Sequence, residues 1–469
     1  MVDRPLRPSL RLIAIYAIIC LLWVWLAYWV APNIAAHGEP NPSMLNVAAA
    51  ALLAVILHLV TVLFICRIDR KHRDRFVELA RPYSRTNTAL VLFSAAFLGL
   101  AVLSGAQGDY GGYLNEWKAI LGGRNPWESE AQIGAWVNSY GPLFNLLAPL
   151  AWVNPLANKL LFAFAYLVYV IWLIKDFAPR RGFVALSWPW VGLWLLNPFP
   201  WEQIAYYGYF DVLVGLACVA AVHSLAGNKD GASGIYLASG ILLKYMPIVV
   251  LPFLAFNGRR VHFRLIISCI GVVVSGLVVS VLVWGTSAFN ALKLAATRES
   301  ILSIYIVLPS THSPLRPFLH SLDVDWLDKP LLLTTGLGTF TWCVLRQIEP
   351  ALSSALAILI TLLFYRVGYA NYQMVFFSLI LYWAASNWAQ FEEHSALVAL
   401  LVGYFCFLAI SNLALWWGLV GSIFYSNIVV VLLQFLFGCA LLVCLARLQP
   451  KPCASRDANG GEKFSGQPC

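Results

Sequence analysis

The chain has 469 residues, of which 60 % are hydrophobic and only 11 % charged. Soluble domains carry about 25 % charged residues, so a water-soluble globular protein is excluded and most of the surface must meet lipid. The net charge of +9 is not a nucleic-acid signal, because the basic residues sit in short loops between apolar runs, where they set topology and meet anionic lipid.

A spanning helix needs about 20 apolar residues, and loop Lys and Arg orient it. On that basis the sequence predicts an all-α polytopic membrane protein with about twelve transmembrane helices plus a re-entrant hairpin. The first span is near 11–31, after Arg4, Arg7 and Arg11, so the N-terminus starts inside. The second, near 45–65, returns to a cytoplasmic loop holding Arg67, Arg70, Lys71, Arg73, Arg75, Arg81 and Arg85. The third, near 88–105, exits to a long outer loop, 106–141. The segment 141–153 is short and broken by proline, which suits an interfacial or partly inserted helix. Spans follow near 158–175, 183–197 and 208–226, with FPWEQIAYYGY (199–209) as an outer connector.

The stretch 234–256 is long enough to cross, but crossing would place NGRRVHFR outside and reverse every later loop. Pro247 and Pro252 break a helix there, so a hairpin entering and leaving on the cytoplasmic side is the better reading. A span near 265–285 leads to a second outer segment, 286–329. Five further spans lie near 330–346, 351–366, 372–388, 396–414 and 428–446. Residues 1–446 thus form one membrane domain, and 447–469 a disordered cytoplasmic tail. None of the ten Cys falls in an outer loop, and no CxxC or Cys/His metal spacing occurs, so neither disulfides nor a structural zinc is expected.

The asymmetry between long outer loops and short basic inner ones points to work done at the outer face. Asp109, beside flexible glycines just past the third span, suits a general base, or else a solvated acid capping a helix that starts near Gly112. Asp211 opens the sixth span. An acid facing a bundle is costly and usually functional, although one at a helix start also complements the dipole. Glu202 reads as a loop acid on the same surface. Lys244 lies among apolar residues and needs a carboxylate, backbone carbonyls or a lipid phosphate, unless it snorkels to the inner interface. Arg298, beside Glu299, could bind a phosphate bidentately. His312 and Arg366 are further residues that could touch an anion. DVD at 323–325 is formally a DxD.

Three blocks carry a resemblance. They are GDYGGYLNEWKAILGGRNPW…SYGPLFNLLAPL, NPFPWEQIAYYGYFDVLVGLACVAAVHSL and ASGILLKYMPIVVLPFL, which together span about 105–254. In order and spacing the chain resembles the GT-C superfamily of membrane glycosyltransferases, nearest the polyprenyl-phosphate-mannose-dependent α-mannosyltransferases. Two positions depart from that pattern: Gly141 stands in Tyr140-Gly141-Pro142-Leu143 where the family has Pro or Thr, and Trp127 stands where it has Tyr.

The resemblance implies a GT-C-like fold in the plasma (inner) membrane of a cell envelope, both termini cytoplasmic and the active site outside. It implies transfer of a hexose, mannose favoured, from a polyprenyl-phosphate sugar to a glycan or glycolipid acceptor. Asp109 matches the family's catalytic acid, and Asp211, Lys244, Arg298, Tyr140, Tyr113 and Glu202 are then candidate substrate contacts. No cofactor is implied; a divalent metal is possible but not indicated, since the donor carries one phosphate. The competing class is a multi-pass transporter or polyisoprenoid flippase. Carriers usually show broken helices at matching places in two halves, whereas the broken hairpin at 234–256 has no counterpart near 400.

Overall fold

The computed structural model describes residues 83–127, 138–174, 191–256, 260–297, 303–307, 327–388, 394–416 and 428–448, together with Phe391. The first two expected spans, the basic loop between them, Arg298, Glu299, His312, the DVD triplet and almost all of the tail lie outside these residues. The described residues are helical and form no strand; Phe256 and Val261 make an isolated bridge.

Most expected spans within the described residues become helices close to their predicted bounds: Tyr83–Leu103, Ala157–Trp172, Asp211–Ala226, Phe263–Trp284, Asp328–Arg346, Pro350–Phe364, Gln373–Ser386, Ser395–Trp416 and Ile428–Ala446. They do not all reach crossing length singly. Phe263–Leu294 and Ser395–Asn412 are long and apolar enough alone. Two bent pairs qualify together: Pro142–Val153 with Ala157–Trp172, bent by 115°, and Val191–Tyr206 with Asp211–Ala226, bent by 113°. Among the described residues, helices of crossing length thus do not match the expected spans one for one.

Gln373–Ser386 and Pro350–Phe364 are buried on nearly every face. Helices apolar all round belong inside a bundle, and these two form its centre. The Asp211 helix packs closely on the first, since a Cβ at Gly215 would lie 2.5 Å from Ser378 Oγ. Phe263–Trp284 is the opposite case: Ile267, Leu282 and Val283 are exposed, an apolar face suited to lipid.

Residues 230–256 form a helical hairpin. Its rising arm, Asp230–Leu243, is followed by Lys244 in extended backbone, a 3-10 turn at Met246–Val250 and a short helix, Leu251–Ala255. Contacts with the next long helix fix the direction. Gly234 packs against Leu265, Ser268 and Cys269, while Gly276 packs against Leu242. The rising arm and the Phe263 helix therefore run parallel, so the chain between them must turn back. At the base of the hairpin His262 Nδ1 meets Asp230 Oδ2 at 3.0 Å. The tip of the hairpin carries Lys244.

One connector differs from expectation. The connector is helical from Pro198 to Tyr206 and largely buried, rather than an open loop. Asn197 starts the turn by accepting a hydrogen bond from Phe199 N–H at 3.0 Å, and Pro198 occupies the first helical turn, where its missing N–H costs nothing. Wide π-type turns then run from Trp201 to Tyr206.

Candidate active site

Asp109 is the first residue of the helix Asp109–Leu121, so its carboxylate lies at the positive end of a helix dipole. It is half-buried and does not cap a helix beginning at Gly112. The helix starts earlier, from Gly108 at φ 53°. A Cβ on Gly108 would stand 2.9 Å from the Tyr207 ring, so both the backbone angle and the close approach need glycine.

Beneath this turn lies a residue the sequence reading passed over. Lys159 is fully buried at the start of Ala157–Trp172. Its ammonium donates to Ser104 Oγ at 2.6 Å, Gly105 O at 2.7 Å and Tyr206 O at 2.5 Å. Tyr110 bridges the same elements: its hydroxyl donates to Pro155 O at 2.7 Å and accepts from Lys159 N–H at 3.1 Å. Lys159 and Tyr110 thus tie both helix bends to the turn that carries Asp109.

Above it is an aromatic box. Tyr113 packs on Tyr140, Phe144 and Phe210 with ring centroids 5.4, 5.3 and 5.6 Å apart. Tyr140 and Phe210 lie edge to face at 4.9 Å. Trp117 Nε1 donates to Phe144 O, and Trp127 Nε1 donates to Tyr140 O at 3.3 Å. Burial holds the Tyr113 hydroxyl well above the usual phenol range, with Tyr140 and Asp109 pushing the same way. The Tyr140 hydroxyl is raised likewise, by burial first, then by Asp109 and Glu116. Both stay protonated and can donate hydrogen bonds.

The hairpin tip closes the box. Lys244 Nζ pairs with Asp211 Oδ1 at 2.5 Å; the Asp211 side chain is fully buried and that of Lys244 7 % exposed. The ammonium also lies over the Tyr372 ring, 3.7 Å from its centroid, and within 5.6 Å and 6.0 Å of those of Phe210 and Tyr140. Asn371 Nδ2 donates to Asp211 Oδ2 at 3.5 Å. Of the partners weighed for Lys244, the structure supplies the carboxylate. Asp211 also begins its helix, as the helix-start reading expected.

Gly141 explains the departure in the Tyr-Gly-Pro-Leu block. Its N–H donates to Leu243 O at 3.0 Å, and a Cβ there would lie 2.1 Å from Leu242 O. Only a residue without a side chain lets this segment lie against the tip. Gly141→Ala should lower stability by about 1–3 kcal/mol, as overpacking does, and reduce activity by shifting Lys244. Thermal unfolding in detergent beside an activity assay would check both.

Two other expected residues sit apart from this cluster. Glu202 is not a loop acid. It is 4 % exposed within the π-type turns, accepting from Asn412 Nδ2 at 2.5 Å and from Gln203 Nε2 at 3.0 Å. Arg366 is buried and pairs with Asp328 through Nε at 2.7 Å. Asn125 Nδ2 donates to Ser287 Oγ at 2.7 Å and Asn290 Nδ2 to Trp127 O at 2.8 Å, so the two long segments expected outside touch each other. Among the described residues no three His, Cys, Asp or Glu side chains group as metal ligands.

The three motif blocks therefore meet in one place: Asp109, Tyr113 and Tyr140 from the first, Phe210 and Asp211 from the second, Lys244 from the third. The sequence profile of glycosyltransferase family 87 matches residues 138–411. The chain belongs to glycosyltransferase family 87. This is a GT-C-type membrane family, and the chain is a membrane glycosyltransferase that takes a sugar donor and an acceptor. The matched region contains Tyr140, Asp211 and Lys244 and begins after the Asp109 helix. No curated protein and no solved structure matches the chain at a significant level.

Proposed function

We propose that this family 87 glycosyltransferase moves a hexose, mannose favoured, from a polyprenyl-phosphate sugar to a glycan or glycolipid acceptor at the outer face of the plasma (inner) membrane. The observation that carries this reading is the convergence of a half-buried Asp109 with a buried lysine at the tip of a hairpin. In the bilayer the hairpin would be re-entrant, lifting Lys244 from the inner side to the level of Asp211. A polyprenyl-phosphate sugar holds its head at the interface, where such a site can reach it.

In the reaction Asp109 takes the proton of the acceptor hydroxyl, and the hydroxyl oxygen attacks the anomeric carbon. The bond from that carbon to the phosphate oxygen breaks, and polyprenyl phosphate leaves. A fixed positive centre stabilises the leaving oxygens. Lys244, tethered to Asp211, and Arg298 are the candidates. Tyr113 and Tyr140 offer hydrogen bonds to the sugar. The donor has a single phosphate, so the reading calls for no metal.

The test is a panel of polyprenyl-phosphate sugars given to purified protein with glycoside acceptors. Release of polyprenyl phosphate together with a new glycoside from one donor supports the proposal. A protein that turns over nucleotide sugars alone, or that carries substrate into proteoliposomes without turnover, would overturn it.

A further inference from the structure

Glu116 has no place in the chemistry above. It is 4 % exposed, and its Oε2 has no hydrogen-bond partner. Buried carboxyl oxygens are rarely left so, and each that is needs an explanation. Glu116 stands seven residues after Asp109 on one helix, hence two turns along the same face. Tyr113, three residues before Glu116 on the same helix, packs on Tyr140 in the aromatic box, and residues three apart are neighbours on a helix surface. On the neighbouring segment, the buried Asn145 accepts from Asn138 Nδ2 at 2.8 Å and leaves its own Nδ2 without a partner.

The charge state narrows the ligand. Burial, with the Asp109 charge second, pushes the Glu116 carboxyl up to about 8, so it is neutral at physiological pH. A neutral carboxyl both donates and accepts, as a sugar hydroxyl does. An anionic ligand such as phosphate would find no cation in Glu116 and a carboxylate in Asp109. The orphan oxygen is therefore matched to a neutral polyhydroxyl group.

We infer that Glu116 is a sugar-binding residue of the site, holding one hydroxyl of the donor hexose or of the acceptor beside Asp109. This rests on the glycosyl-transfer reading and adds to it the residue that selects the sugar. The seven-residue spacing and the orphan oxygen carry the inference, and neither lies within the region matched to the family profile.

The experiment compares wild type, Glu116→Gln and Glu116→Leu, with polyprenyl-phosphate mannose as donor and an alkyl mannoside as acceptor, varying each in turn. Glu116→Leu is expected to raise one KM by about tenfold or more; which KM rises says whether donor or acceptor hydroxyl is held. Glu116→Gln keeps the shape and hydrogen-bonding capacity and should stay near wild type at pH 7. The wild-type KM should climb as pH rises through about 8, when Glu116 ionises, while the Gln variant stays flat. Among the described residues, the ionisable groups near Glu116 are Asp109 and Tyr113 on its own helix and Tyr140; the packed helix Ala148–Val153 brings none. A deoxy-mannose donor or acceptor lacking the held hydroxyl should lose no further affinity in Glu116→Leu. If Glu116→Leu fails to fold, the Gln variant's pH profile decides alone. Unchanged KM values in a folded Leu variant, or an alkaline limb kept by Gln, would overturn the inference while leaving transfer itself intact. Absence of turnover in wild type would bring down the transfer reading and this inference with it.

Discussion

Asp109→Asn is expected to fold as the wild type does and to lose sugar transfer by about 10²–10⁴-fold, the usual contribution of a positioned general base. The amide fits the same space at the first turn of its helix. It gives up the charge-dipole interaction, worth about 0.3–1 kcal/mol, so the melting temperature should hardly move. Gly108, Lys159 and Tyr110 position the turn from below, and none of them depends on the carboxylate's proton affinity. The loss should therefore fall on kcat, with donor KM nearly unchanged. Initial rates of polyprenyl phosphate release at saturating donor check this, beside a melting curve of each protein. A folded Asp109→Asn enzyme at full rate would remove Asp109 from the chemistry.

Much of the helix order was legible because apolar runs, basic loops and prolines are local signals. Helix length was not. A run of 20 apolar residues counts side chains, not turns, and Pro247 or the bends near Pro155 and Gly208 cut runs into shorter helices. The connector at 199–209 was placed by the alternation of loop charge, which says nothing of its local structure, whereas Pro198 at a helix start helps the helix begin. Asp109 stood out beside glycines at the start of a long loop, and Asp211 and Lys244 as charges in apolar runs, which the fold brings into contact across 33 residues of chain. Lys159 obeys the same rule, one lysine early in an apolar run, and could have been flagged by it. Glu202 could not be placed, since its partner Asn412 lies 210 residues away and no local pattern joins them. Glu116 gives no local signal that sets it apart from the other acids of its loop; only three-dimensional packing shows that it is buried.

Breaking the Asp211–Lys244 pair is expected to have the largest effect on stability. Both side chains are buried, and removing one partner of such a pair leaves an uncompensated charge, at a cost of about 3–5 kcal/mol. The two single variants should not be equal. Asp211→Asn leaves Lys244 over the Tyr372 ring and near those of Phe210 and Tyr140, which still stabilise a cation. Lys244→Met leaves a fully buried carboxylate facing the Asn371 amide at 3.5 Å. Lys244→Met should therefore unfold at the lower temperature. The double variant Asp211→Asn with Lys244→Met removes both charges, and it should recover most of the loss, since neutral replacements of a buried pair are often tolerated. Melting curves of all four proteins give the coupling energy directly. Activity then separates scaffold from chemistry. If Lys244 stabilises the leaving phosphate, the refolded double variant stays inactive. If it regains full transfer, the pair only holds the hairpin tip against Gly141 and the aromatic box, and the phosphate must be met by another cation.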